Sequence, residues 1–91
     1  MSEWWQKVKL YQPMHFFQEV EEMYGGGQLI RKCYIKGSGY TSEKISESVY
    51  EKDDLKFTLK IRRHGYQITK RDARGTITRF YHDLKDAREL L

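Results

Sequence analysis

Three histidines and one cysteine are the residues in this chain best suited to bind a metal or act as a nucleophile: His15, His64, His82 and Cys33. A zinc site needs ligands converging in pairs, commonly two to four residues apart, and none of these four has such a neighbour. Glu19 follows His15 at the four-residue spacing of a helix-surface pair, which is an ordinary side-chain contact. Cys33 falls in the middle of a run that reads as strand, where a buried thiol is inert. Two glycine clusters could cradle a phosphate. Gly25-Gly26-Gly27 closes a helix rather than opening one, so the dipole points the wrong way, and Gly37-Ser38-Gly39 lacks the lysine and the helix that a P-loop requires. No catalytic residue, metal site or cofactor is expected, and the chain reads as a protein that binds rather than one that catalyses.

What it would bind with is charge. The sequence has 91 residues and a formal net charge of +4, unevenly spread. Residues 1–24 hold two cations against four anions, whereas residues 56–79 hold eight cations against Asp72 alone. Such asymmetry suits a polyanionic or acidic partner. A cluster of aromatics, Trp4, Trp5, Tyr11, Phe16, Phe17 and Tyr24, occupies the acidic end. Trp4, Phe16, Phe17 and Val20 are assigned to the core. Trp5, next to Trp4, is assigned to the surface as an interface anchor, because neighbours on a strand point to opposite faces.

The elements that position these groups follow from periodicity. Pro13 suits the first position of a helix. Phe16, Phe17, Val20, Met23 and Tyr24 then recur at helical spacing, with His15, Glu19 and Glu22 on the other side, until the three glycines end the helix. Residues 4–11 read as a short strand or a helical turn. From residue 28 to residue 81 the pattern is β: 28–36, a weak strand at 44–51 anchored by Ile45 and Val49, and a cleanly alternating strand at 55–63. His64-Gly65 reads as a two-residue loop pairing Ile61 with Ile68. Ala73-Arg74-Gly75 reads as a three-residue loop pairing Ile68 with Phe80. Residues 83–91 read as a short helix capped by Asp83, with Leu84, Ala87 and Leu91 as its apolar stripe and Leu90 beside it. The expected architecture is a single α+β domain: an antiparallel β-meander of four to five strands, with an N-terminal and a short C-terminal helix packed on one face.

In that register the uncovered face presents Lys56, Lys60, Arg62, Arg71, Arg79 and Tyr81 together with Ile77. Tyr34, Lys32 and Lys36 extend it where the first strand joins the edge. Five cations, no anions and a ring suit a phosphate backbone with stacked bases. The expected partner is nucleic acid or a nucleic-acid-handling protein, although no RNP1 pattern, helix-turn-helix spacing or zinc-finger cysteine set is present. The alternative is a compact basic regulator or inhibitor, of the kind viruses and mobile elements encode, docking on a larger host enzyme. One cysteine forbids an internal disulfide, the start Met1-Ser2-Glu3-Trp4-Trp5-Gln6 does not read as a leader, and no apolar run is long enough for a membrane span, so a cytoplasmic location is expected.

Overall fold

A computed structural model describes residues 3–91; Met1 and Ser2, the first two positions of the start read above against a leader, lie outside the described residues. Helix α1 runs Pro13–Tyr24 and is followed by five strands: β1 (Gln28–Lys36), β2 (Glu43–Lys52), β3 (Leu55–Arg62), β4 (Gly65–Asp72) and β5 (Gly75–Tyr81). The strands form one antiparallel sheet in chain order, β1-β2-β3-β4-β5. Trp4–Lys7 is a short 3-10 helix and residues 8–11 are neither strand nor helix, so the strand-or-turn alternative for residues 4–11 comes out as a turn over its first half, and Leu84–Leu90 is a longer 3-10 helix. The α+β meander is as the sequence implies. Among the described residues, no helix is long and apolar enough to cross a membrane.

Helix α1 begins at Pro13 because its open amides are capped. Gln12 and His15 form a reciprocal capping box in which the Gln12 backbone N–H donates to His15 Nδ1 at 2.9 Å. His15 is thus a helix-start residue. At the other end, the last carbonyls would face an apolar sheet. Tyr50 Oη donates to the Gly25 carbonyl at 2.7 Å and Lys52 Nζ to that of Tyr24 at 2.6 Å, so strand β2 satisfies them.

One face of the sheet is covered. Phe16, Phe17 and Val20 of α1 meet Tyr50, Phe57, Leu59 and Ile68 of the sheet and Leu84, Ala87 and Leu90 of the C-terminal segment. Those last three sit at a spacing of three. That is the repeat of a 3-10 helix, and it buries Leu90 where α-helical spacing selects Leu91. Asp83 caps this helix as expected, accepting from the Lys85 amide at 3.0 Å.

The helix side read as polar is not uniformly so. Glu19 is buried and accepts two-pronged hydrogen bonds from Arg88 at 2.8–3.0 Å and one from Tyr11 Oη, while Met23, on the side read as apolar, is exposed. Burial and the Glu19 carboxylate push the Tyr11 phenol well above its usual pKa. The Arg88 guanidinium lies 3.5 Å over the ring of Trp5. Trp5 is therefore half-buried as a platform for Arg88 and is no more exposed in class than Trp4, which corrects its assignment as a surface anchor. Its 3-10 setting explains this, because neighbours there need not point to opposite faces.

Two loops differ from their expected forms, and the second matters. The β3–β4 loop is Arg63-His64, so Ile61 pairs with Tyr66 and Leu59 with Ile68. This shift of two positions leaves each residue on its face. The β4–β5 loop is Ala73-Arg74, with Gly75 at φ 141° taking the first strand position opposite Asp72. Two loop residues instead of three slip β5 by one, so every β5 side chain changes face. Phe80 opposes Gln67 on the open face and is 70% exposed, whereas Ile77, Arg79 and Tyr81 join the covered side.

The register has a direct test. Ile68→Asp would bury an unpaired carboxylate at a cost of several kcal/mol, enough to unfold a domain of ordinary stability. Phe80→Asp leaves its charge in water, and its circular dichroism spectrum should match the wild type. A second test concerns the buried pair. Arg88→Ala strands the Glu19 charge and should cost about 3–5 kcal/mol in urea unfolding, while the double change Arg88→Met with Glu19→Leu should recover most of that loss.

Candidate functional site

The open face is assembled in rows that cross all five strands. One row reads Lys32, Glu47, Lys60, Gln67, Phe80; beside it run Ile30, Val49, Thr58, Thr69, Thr78 and then Gln28, Glu51, Lys56, Arg71, Thr76. Of the cations assigned to this face, Lys56, Lys60, Arg62 and Arg71 share it. Strand β1 joins as an edge and adds Lys32, Tyr34 and Lys36. Arg79 and Tyr81 do not belong. Arg79 pairs with Ile68 on the covered side, and Tyr81 Oη donates to Glu89 at 2.6 Å, where burial and that carboxylate push its phenol up to about 12. The ring that Tyr81 was expected to supply is supplied by Phe80.

The face is not free of anions. Glu43, Glu47 and Glu51 of β2 lie four residues apart, a spacing that puts all three on one side of a strand. Each answers a cation: Arg62 grips Glu43 in a bidentate pair at 2.9 and 3.1 Å, Lys32 and Lys60 flank Glu47 at 3.1 and 3.8 Å, and Lys56 lies 3.8 Å from Glu51. Tyr34 Oη also donates to Glu47 at 3.2 Å. Glu47 is buried beneath these groups, as are Ile45 and Val49 in the same strand. These glutamates relieve the repulsion that a face of like charges would suffer. Their four-residue spacing is the signal in the sequence that would have identified them.

What remains available is therefore narrower than the cation count suggests. Among the described residues Arg71 makes no ion pair, Lys32 is 61% exposed despite Glu47, and Lys56 is held loosely at the sheet's end. Three hollows touch this face; the one at the β2–β3 end, of 530 Å³, is lined by Lys56 and Arg71 together with Glu51, Asp53, Asp54 and Asp72. Another, of 380 Å³, lies along Ile30, Val49, Thr58 and Thr69, between the row of Lys32, Glu47 and Lys60 and the pair Glu51 and Lys56. The third, of 440 Å³, opens at the β3–β4 end, where Gly65 leaves a gap in the face beside Arg62, Phe80 and His82. A side chain cannot fill that gap, because Gly65 has φ 148° and a Cβ there would stand 2.6 Å from the Tyr81 carbonyl oxygen.

The remaining candidates lie apart. His64 is in the β3–β4 loop and accepts, through its carbonyl, a contact from His82 Nδ1 at 3.2 Å. Cys33 is exposed on edge strand β1, not buried. Among the described residues no group of three or more His, Cys, Asp or Glu could hold a metal ion.

The Arg62–Glu43 pair predicts a pH response. The Arg62 guanidinium and the Arg63 amide hold the Glu43 carboxyl down at about 2, from an ordinary 4.5. A depressed folded pKa contributes stability that is complete above the unfolded value and is lost as pH falls through the folded one. The thermal midpoint of the wild type should thus drop between roughly pH 4.5 and pH 2, and Glu43→Gln should flatten part of that drop, as read by scanning calorimetry across the range. Comparison with protein-family models, curated proteins and solved structures finds no match to this chain.

Proposed function

We propose that this chain is a non-catalytic binding domain whose open sheet face takes up a single strand of nucleic acid. The observation that carries the reading is Phe80. A phenylalanine ring that folding would ordinarily bury stands 70% exposed in a row with Lys60 and Gln67, next to the hollow at Gly65 and on the same face as Arg71 and Lys56. An exposed ring on a rigid sheet is a stacking platform for a base, and Arg71, four positions along the sheet from the Phe80 row, with the loosely held Lys56 beside it, suits the phosphates of the adjoining nucleotides. Arg62 keeps its guanidinium on Glu43 and Gln67 and lends the face shape more than free charge.

A second reading has its own support. Glu43, Glu47 and Glu51 already occupy much of the cationic potential, leaving a mixed-charge face with apolar Phe80 and Ile30 exposed, which also suits a protein surface. In this reading the domain docks on a larger protein as a regulator.

Fluorescence anisotropy with labelled single-stranded DNA and RNA over a salt series separates the two. Binding through about three phosphates gives a log–log salt slope near −2. Phe80→Ala should weaken binding by about 1–3 kcal/mol with the slope unchanged. Arg71→Ala should weaken it and make the slope shallower by about 0.7. Arg62→Ala should matter less than Arg71→Ala, and Glu47→Gln should tighten binding. Absence of binding at low salt removes the nucleic-acid reading. Capture of a nuclease-resistant partner from cells, lost on Phe80→Ala, would then favour the docking one.

A further inference from the structure

We infer that β5 is an association edge: it pairs antiparallel with β5 of a second copy of this chain about a two-fold axis at Thr78, joining two five-stranded sheets into one with a single continuous open face. Both outer strands, β1 and β5, expose a row of backbone groups to solvent, a hazard that proteins usually blunt with charge. Strand β1 is blunted: it carries Arg31, Lys32 and Lys36, and pairing with itself about its middle would set Lys32 against Lys32. Strand β5 is not. It reads Gly-Thr-Ile-Thr-Arg-Phe-Tyr, with one charge, no proline and a preponderance of β-branched and aromatic residues, and nearly all of it is exposed.

The backbone of β5 fits a copy of itself. A two-residue loop is closed by a pair that exchanges both hydrogen bonds, here Asp72 and Gly75. Counting by two, Ile77, Arg79 and Tyr81 turn their peptide groups toward β4, and Thr76, Thr78 and Phe80 turn theirs outward. The Thr69 and Thr78 hydroxyls, 3.1 Å apart, agree with this, since side chains approach most closely at pairs that do not exchange hydrogen bonds. A two-fold axis at Thr78 then sets Thr78 against Thr78 and Thr76 against Phe80. Outward groups meet outward groups at each of these positions. On the covered side Ile77 meets Arg79, whose aliphatic stem can lie along it, and no like charges oppose one another. The axis is perpendicular to the sheet, so both open faces lie on the same side, with two Phe80 rings flanking the junction.

Two seven-residue strands bury little area, so the dimer is a weak one, with a dissociation constant of about 10 μM. Sedimentation velocity of the full chain from ~1 to ~100 μM should show it. Thr78→Lys puts ammonium against ammonium on the axis, and Thr78→Pro removes an outward N–H while sparing the β4 ladder. Each should raise the dissociation constant at least about tenfold with an unchanged circular dichroism spectrum. Ile35→Lys, which adds a lysine to the other edge strand, should leave it unaltered. Should Thr78→Pro lose its fold, Thr78→Lys alone decides. A wild type that stays monomeric at ~100 μM overturns the inference, as does a Thr78→Lys chain that associates like the wild type or an equal loss on Ile35→Lys.

Discussion

A single buried carboxylate gathers the pieces that make this sheet possible. An antiparallel sheet of this size needs one face dry, and the cover comes from two short segments, one of 12 residues and one of 7, neither stable alone. Glu19 on the first and Arg88 on the second meet in a bidentate pair, with Tyr11 donating from one side and Trp5 stacked beneath the guanidinium. The pair is weak evidence for net stability, since two charges must leave water to form it. Its effect is positional: it fixes where the C-terminal segment lies against α1, and so which side of the sheet is dry.

Charge on the opposite side is governed by β2. Glu43, Glu47 and Glu51 make the second strand an acidic ridge between the basic strands β1 and β3. The ridge holds long cationic side chains down over Ile45 and Val49, giving that side a small shielded apolar floor. The cost is that most of these cations are already engaged. Arg71, on β4, makes no ion pair with the ridge among the described residues, and Phe80 lies three strands away from it, and that is why the functional reading centres on them.

Much of this architecture was legible in the residues. The Pro13 start and glycine stop of α1, the alternation of Leu55, Phe57, Leu59 and Ile61, and the glycine-marked turns all carry local signals, and local signals suffice for element type. Register did not follow as surely. Ala73-Arg74-Gly75 supports a loop of two residues or of three, and β5 carries an aromatic on either face, Phe80 or Tyr81, so its pattern does not choose. The burial of Glu19 was illegible for a different reason: its partner lies 69 positions away, and a glutamate on a helix reads as solvent-facing until that partner is in place. Of the expected face residues, Lys56, Lys60, Arg62, Arg71 and Tyr34 are where alternation puts them, and Arg79 and Tyr81 are displaced by that one loop.

The order of the strands in space is the order of the strands in the chain, and this has a kinetic meaning. Every sheet contact is made between neighbours along the sequence, so each hairpin closes only a short loop and the chain can zip from turn to turn with little entropy lost per step. The packing of α1 on β3 and β4 is non-local, and its contact with the C-terminal segment is the most distant of all, for it brings together residues from opposite ends of the chain. Local pairing of this kind favours fast folding of the meander, and the Glu19–Arg88 clasp is the contact that ties the two ends of the chain together in the folded domain.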